Sequence, residues 1–241
     1  AQPLQWHDST ITEFKELQYS LKDLTERSRR EYLALREFTE NASHEIQTPL
    51  GIIQSKLDRM SQLEVNEEMA RYIVQAKSGV ERLSKMNRNL LLLAKLDNQV
   101  YSERQFIYVD ELLNQHLEQM EELFSVRGIT LNKTLSPVQV KSDRYLCDVL
   151  LSNLLSNALR YTFSLSEIAI FLSEQQFIIS NPGAALDFPS EHLFNRFTKS
   201  ANQPQGTGLG LAIVHQICLL NGWTVTHNYR MGVHYFSIDF N

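Results

Sequence analysis

Three groups of residues in this 241-residue chain are of a kind, and at a spacing, to carry a reaction or hold an anion. The first is His44, with Glu45 beside it, Thr48 four residues on and Pro49 five residues on, in the string "NASHEIQTPL". Pro49 lacks an N–H, so the carbonyl of Glu45 loses its helical partner and the helix should bend within a turn of His44. An interior proline costs about 3 kcal/mol, which something should offset. A zinc helix of the HExxH type needs a second histidine where Thr48 stands, so a metal does not explain the group; a solvated polar turn does, equally well. The second group is Asn153, Asn157, Arg160 and Tyr161, whose steps put them on one helical stripe opposite Leu151, Leu155 and Ala158. On its own the stripe suits a solvated face as well as a site. The third is "GTGLGLAIVHQI", where Gly206, Gly208 and Gly210 lead into an apolar helix. Glycines let backbone N–H groups approach phosphate oxygens, and a helix start favours an anion. GxGxxG spacing is absent, as is the Lys-Ser/Thr pair of a P-loop.

The elements that must hold these groups follow from the breakers. Of nine glycines only Gly51 and Gly79 precede residue 128, and between Gln5 and Ser136 the only proline is Pro49. The first hundred residues are therefore expected to be nearly all helix. Leu17, Leu21 and Leu24, and then Leu35, Phe38 and Ala42, recur at three- and four-residue steps, as do Met69, Ile73, Ala76, Val80, Leu83, Met86, Leu90, Leu93 and Leu96. Two amphipathic helices joined by the polar stretch 61–66 make an antiparallel hairpin. A first helix over residues 12–60 would be on the order of 70 Å long, too long for one partner helix to bury, so a homodimer closing a four-helix bundle is expected. After residue 100 short β-type runs alternate with helices: "FIYVD", "ITLNKTL", "VQVK", "SEIAIFL", "QFIIS", "WTVTHNY" and "GVHYFSIDF", with helices over 110–126, 142–162 and 208–221. The fold class is α+β.

Composition narrows the function. Hydrophobic residues at 43% and charged residues at 21% are those of a folded protein, and a net charge of −5 lacks the basic excess of a nucleic-acid footprint, so no nucleic acid partner is expected. Cys147 and Cys218 stand singly in apolar helical surroundings and read as small core residues. The longest apolar runs, 90–94 and 168–172, are five residues, against roughly 20 for a membrane span, and no signal peptide is expected at the N-terminus.

The string over 38–50, "FTENASHEIQTPL", resembles the phosphoacceptor box of sensor histidine kinases of two-component systems. "LLSNLLSNALRYT" matches the asparagine box of the same family, and "LFNRFTKS" followed by "GTGLGLAIV" its phenylalanine and lid-closing glycine boxes. The resemblance covers residues 30–241, with the boxes in the family's order. It implies a long antiparallel helical hairpin forming a dimeric four-helix bundle, then an α/β-sandwich (Bergerat-type) ATP-binding domain of the gyrase kind. The divisions it implies are a connecting helix over 1–30, a dimerisation and histidine phosphotransfer domain over 31–98 and a catalytic ATP-binding domain over 99–241.

The resemblance makes His44 the phosphoacceptor for ATP, Glu45 the general base that orients it or takes its proton, and Thr48 the residue that positions water when a partner's phosphoryl group is hydrolysed. In the pocket it implies Asn153 as the Mg²⁺ ligand, an amide oxygen being a hard donor. Asn157 is a second polar contact, Arg160 a phosphate contact and Tyr161 a neighbour of base or ribose. Gly206, Thr207, Gly208, Leu209 and Gly210 close over the phosphates. Phe194 and Phe197 anchor a short lid over 200–205, and Lys199 contacts phosphate. "FIISNPGAAL" departs from the family pattern: Asn181 stands for the aspartate that accepts the adenine amino group, Gly183 is kept, and Ala185 replaces a second glycine. An uncharged acceptor there lowers ATP binding by around 1 kcal/mol. The implied reaction is autophosphorylation on His44 and transfer to an aspartate of a response regulator receiver domain. That regulator would dock near Ile52, Leu57 and Met60. The alternative is a nucleotide-weak scaffold or response-regulator phosphatase, and a gyrase-like ATPase leaves His44, Glu45 and Pro49 unexplained. The family also implies the cytoplasmic portion of an inner-membrane receptor, reached by the membrane only through upstream segments outside this chain.

Overall fold

The scarcity of glycine and proline before residue 100 has its counterpart in two long helices, α1 (Thr12–Met60) and α2 (Glu67–Asp97), which pack on each other. The computed structural model describes residues 12–97, 104–200 and 206–240, without the side chains of 12–13, 28–29, 31–32, 35–40 and 43–44. α1 runs through Pro49 as a single helix. The turn between the helices is fixed locally: Asn66 Oδ1 accepts from the backbone N–H of Met69 at 2.8 Å and caps α2, and Lys77 pairs with Asp58 across the hairpin at 2.7 Å. Among the described residues no helix is long and apolar enough to cross a membrane.

The rest of the described chain is two-layered. β1 (Gln105–Tyr108), α3 (Val109–Val126), β2 (Thr130–Leu135), β3 (Gln139–Ser142), α4 (Arg144–Tyr161), β4 (Glu167–Leu172), β5 (Gln176–Pro182), α5 (Gly210–Asn221), β6 (Thr224–Arg230) and β7 (Val233–Asp239) follow in order, with a single 3₁₀ turn at Ser190–His192 between β5 and α5. Five strands form one sheet in the order β2-β4-β5-β7-β6, parallel only between β2 and β4, and β1 pairs with β3 in a small antiparallel sheet. Inward-facing Ile168, Ile170 and Leu172 on β4, Phe177 and Ile179 on β5, and Phe236 and Ile238 on β7 bury against Leu151, Leu154 and Leu155 of α4 and Ile213 and Ile217 of α5. Alternation in the strands and the apolar side of the α4 stripe thus make one core. Leu92, Leu93 and Leu96, in the last turns of α2, join the same core.

Three helix starts differ from the sequence reading, each for a local reason. The run "FIYVD" stops being strand at Tyr108, because Val109 already opens α3, where Asp110 Oδ1 accepts from the Val138 N–H at 3.1 Å. Ser142 ends β3, and Asp143 caps α4 by accepting from Leu146 N at 3.2 Å, so that helix begins at Arg144. Gly208 lies at φ +71°, outside helical geometry, which moves the start of α5 to Gly210.

Candidate functional site

The inward row of the sheet turns polar at one end. On β5 the alternation Phe177, Ile179 continues to Asn181, and on β7 Ile238, Phe236 continues to His234; Asn181 and His234 are register partners. Asn181 is 1% exposed, its Nδ2 donates to the Pro182 carbonyl at 3.3 Å, and its Oδ1 has no partner among the described residues. A buried acceptor left unmade costs about 1–3 kcal/mol, which a donor entering from outside would recover. Asn181 and His234 line a cavity of about 100 Å³ with Tyr161, Leu186, Phe188 and Leu211. The apolar walls and single orphaned acceptor suit a flat heterocycle bearing an amino group.

His234 also shapes the cavity floor. Its Nε2 donates to the Ala184 carbonyl at 2.8 Å, which leaves Nδ1 as acceptor for the Nε2–H of His227 at 3.0 Å. Tyr229 donates to the Gly183 carbonyl at 3.2 Å. Burial holds both histidines below the usual imidazole range, with His227 down to about 4, so the pair is neutral. A Cβ on Gly183 would sit 3.0 Å from His234 Cδ2 and 3.1 Å from the Tyr161 carbonyl, which is why the chain crosses here as glycine.

A second cavity continues from the first, sharing Asn157, Tyr161 and Leu211 with it, and runs to the glycine loop. Asn153 donates from Nδ2 to the Val149 carbonyl at 2.8 Å, which directs Oδ1 toward Gly210, where a Cβ would lie only 2.7 Å away. Gly206, at φ +103°, lies against the Arg160 guanidinium, and Leu209 is fully buried, tying the loop to the core. Thr207 Oγ1 accepts from the Leu209 N–H at 3.4 Å. Gly208 accepts from the Phe197 N–H at 2.7 Å, and a Cβ on it would strike the Phe197 backbone at 2.8 Å. Among the described residues no cluster of His, Cys, Asp or Glu could hold a metal ion. The oxygen donors are amides, which fit Mg²⁺ in its usual nucleotide-borne form, with water and phosphate completing its shell.

Several sequence expectations shift. Phe197 does not anchor through its ring, which is 54% exposed; its backbone does, at φ +64°. Phe194 packs against the core and stacks on His215 with ring centroids 5.7 Å apart. Lys199 lines the cavity of Asn181 and not the glycine-loop cavity. Of the lid expected over 200–205, residues 201–205 lie outside the described residues. Lys85 and Asn89 of α2, which the sequence offers only as polar positions on an amphipathic helix, line the glycine-loop cavity. His227 and His234 were also missed, although the period-two row ending at His234 is a signal that was there to read.

On the hairpin, His44 lies on the α1 backbone, with its side chain outside the described residues; Glu45, Thr48 and Pro49 are exposed. So are Ile52 and Met60, while Leu57 is half-buried. Both cysteines are buried, and burial pushes the Cys147 thiol up to about 11 and that of Cys218 to about 12, fitting the core role.

Comparison with known proteins finds two family models along the chain. Residues 34–99 match the His Kinase A (phospho-acceptor) domain, and residues 143–238 match the "Histidine kinase-, DNA gyrase B-, and HSP90-like ATPase" family. Sensor protein CutS of Streptomyces coelicolor is 28% identical over 236 residues, covering 93% of this chain and 57% of that protein. Heme sensor protein HssS of Staphylococcus aureus is 32% identical over 196 residues, covering 78% of this chain and 42% of that protein. The chain therefore spans about half the length of the curated relatives it matches. The solved structure of full-length ShkA in complex with AMPPNP shares the fold at a TM-score of 0.70 and 22% identity, over 85% of this chain and 45% of that one.

Proposed function

The chain belongs to the sensor histidine kinases of two-component signalling, and from that premise we propose that it moves the γ-phosphoryl group of ATP first to His44 and then to an aspartate on a response regulator receiver domain. The observation that carries this reading is the pair of joined cavities between Asn181 and the glycine loop, bridged by Asn157 and Tyr161. One end offers a buried unpartnered acceptor for an amino-bearing base, and the other a left-handed glycine loop, an arginine and a free amide oxygen for phosphates and metal.

In this reading the adenine amino group donates to Asn181 Oδ1, Tyr161 lies beside base or ribose, and Arg160 and the N–H groups of residues 206–210 hold phosphate oxygens. Asn153, with water and phosphate, would hold Mg²⁺, which when bound offsets charge on the phosphates. The His44 ring nitrogen forms a bond to the γ-phosphorus as the bond to the β–γ bridging oxygen breaks and ADP leaves. Glu45 orients the ring and accepts its proton. In the second step the phosphorus–nitrogen bond breaks as a carboxylate oxygen of the receiver aspartate takes the phosphoryl group. Thr48 positions water when the reverse task, hydrolysis of the regulator's phosphate, is performed.

The proposed divisions are a connecting segment over 1–30, a dimerisation and phosphotransfer hairpin over 31–98 and a catalytic domain over 99–241. A second copy of the chain would cover the apolar hairpin surface that includes Met69, Leu83 and Leu90, all exposed here. The regulator would dock on the hairpin near Ile52, Leu57 and Met60. Calorimetric titration with Mg²⁺-ATP tests the pocket: saturable, Mg²⁺-dependent binding that weakens at least tenfold in Asn153→Ala is expected. A folded, dimeric chain without such binding at millimolar nucleotide would sink the reading.

A further inference from the structure

The glycine-loop cavity is not built by the α/β domain alone. Lys85 and Asn89, one turn apart on α2, line it opposite Arg160 and the loop. Asn89 Nδ2 donates to Thr207 Oγ1 at 3.4 Å, so the hairpin helix is bonded to the loop itself. A second tie lies nearby, where Arg196 and Asp97 at the end of α2 pair at 2.6 Å. The charges are arranged without a counter-ion. Among the described residues lining the cavity there is no carboxylate, and Lys85 makes no ion pair within the described part of the chain. Burial, and then the positive charges of Arg160 and Arg88, hold its ammonium below the usual lysine range. Like charges gathered in a partly buried cavity repel and lose hydration, a cost that a multiply charged anion removes.

We propose that Lys85 and Asn89 complete the phosphate-binding site from the hairpin, so that the polyphosphate of a nucleoside di- or triphosphate clamps the α/β domain onto α2. This rests on the reading of the joined cavities as an ATP site. The base end lies wholly within the α/β domain, so the clamp depends on phosphate and not on base. ATP therefore tightens the contact between the two parts of the chain, and adenosine does not.

The test uses the full chain and two readouts. Calorimetry compares Mg²⁺-ATP and adenosine on the wild type, Lys85→Met, Lys85→Arg and Asn89→Ala. Hydrogen exchange follows the backbone of residues 81–92 with each ligand. Lys85→Met should weaken ATP at least tenfold and Lys85→Arg less than threefold, and ATP should slow exchange over 81–92 in the wild type but not in Lys85→Met. ATP affinity equal in the wild type and Lys85→Met, or slowing by adenosine as large as by ATP, would overturn the clamp while leaving the ATP site standing. A wild type that binds no ATP would remove both.

Discussion

The hairpin and the α/β domain satisfy their apolar residues in opposite ways. The α/β domain buries Leu151, Phe177, Ile179, Ile213 and Ile238 to within about a per cent of full burial inside one chain, and the cavity at Asn181 lies wholly within it. Among the described residues α1 has none buried, and Leu83 of α2 is 54% exposed although it lies on the apolar repeat. A domain that closes on itself fixes its side chains by packing, so it can hold a base and phosphates in place. A helical pair that leaves its stripe open offers it to the second copy proposed above, and Glu45, Thr48 and Pro49 are exposed next to the proposed acceptor position. The division of labour proposed here, a packed donor site and an acceptor on the hairpin, follows from that difference.

The sharpest way to break the contrast is at glycines. Gly208→Ala would place a methyl on the Phe197 backbone at a left-handed φ, and should destabilise the α/β domain by about 2–4 kcal/mol with loss of ATP binding, read by thermal melting and titration. Next, Leu83→Glu should weaken self-association at least tenfold, a cost of about 1.4 kcal/mol or more, in sedimentation experiments; an unchanged dimer would remove this stripe from the proposed bundle.

The histidine pair gives a pH test confined to one region. His227 has a lowered folded pKa, about 4 against an ordinary 6.5, so the unfolded chain binds more protons between those values. Its contribution to stability is fully present above about 6.5 and is lost as pH falls toward 4, on the order of 1–2 kcal/mol after allowance for its half-buried ring. Melting midpoints should therefore fall with acid more steeply in the wild type than in His227→Phe; parallel curves would contradict the assignment.

Asn181→Asp should tighten ATP by around 1 kcal/mol, roughly fivefold, by giving the base a charged acceptor. Weaker binding would show that the neutral amide is the better partner in this cavity. The smallest effect lies in the hairpin: Gly51 sits in α1 with nothing near a Cβ, so Gly51→Ala should stabilise the helix by about 0.5–1 kcal/mol. The same substitution thus has opposite signs in the two regions.

What the sequence revealed tracks what is local. The span of α1, its polar turn and the side of α4 that faces the core follow from periodicity and breakers, and each of the seven β-type runs contains a strand. Asn153, Asn157, Arg160 and the glycines are brought to one cavity because a helix stripe and the loop before a helix keep their geometry wherever the domain packs. Lys85 and Asn89 were illegible because their role depends on how α2 docks against α5 and the loop, and a tertiary docking leaves no period in the sequence. How Phe197 meets the loop was illegible for a related reason: a left-handed backbone leaves its ring exposed and turns its N–H to the Gly208 carbonyl. Asn181, read from the sequence as an uncharged acceptor, has a buried Oδ1 without a partner among the described residues.

The central claim is that the donor site in the α/β domain serves His44 on the hairpin. Incubation of the full chain with γ-labelled ATP and Mg²⁺, wild type beside His44→Gln, tests it most directly. The account predicts an acid-labile, base-stable label on the wild type and none on His44→Gln, with both proteins binding ATP equally. Label that persists in His44→Gln, or a wild type that binds Mg²⁺-ATP and acquires none, would contradict it.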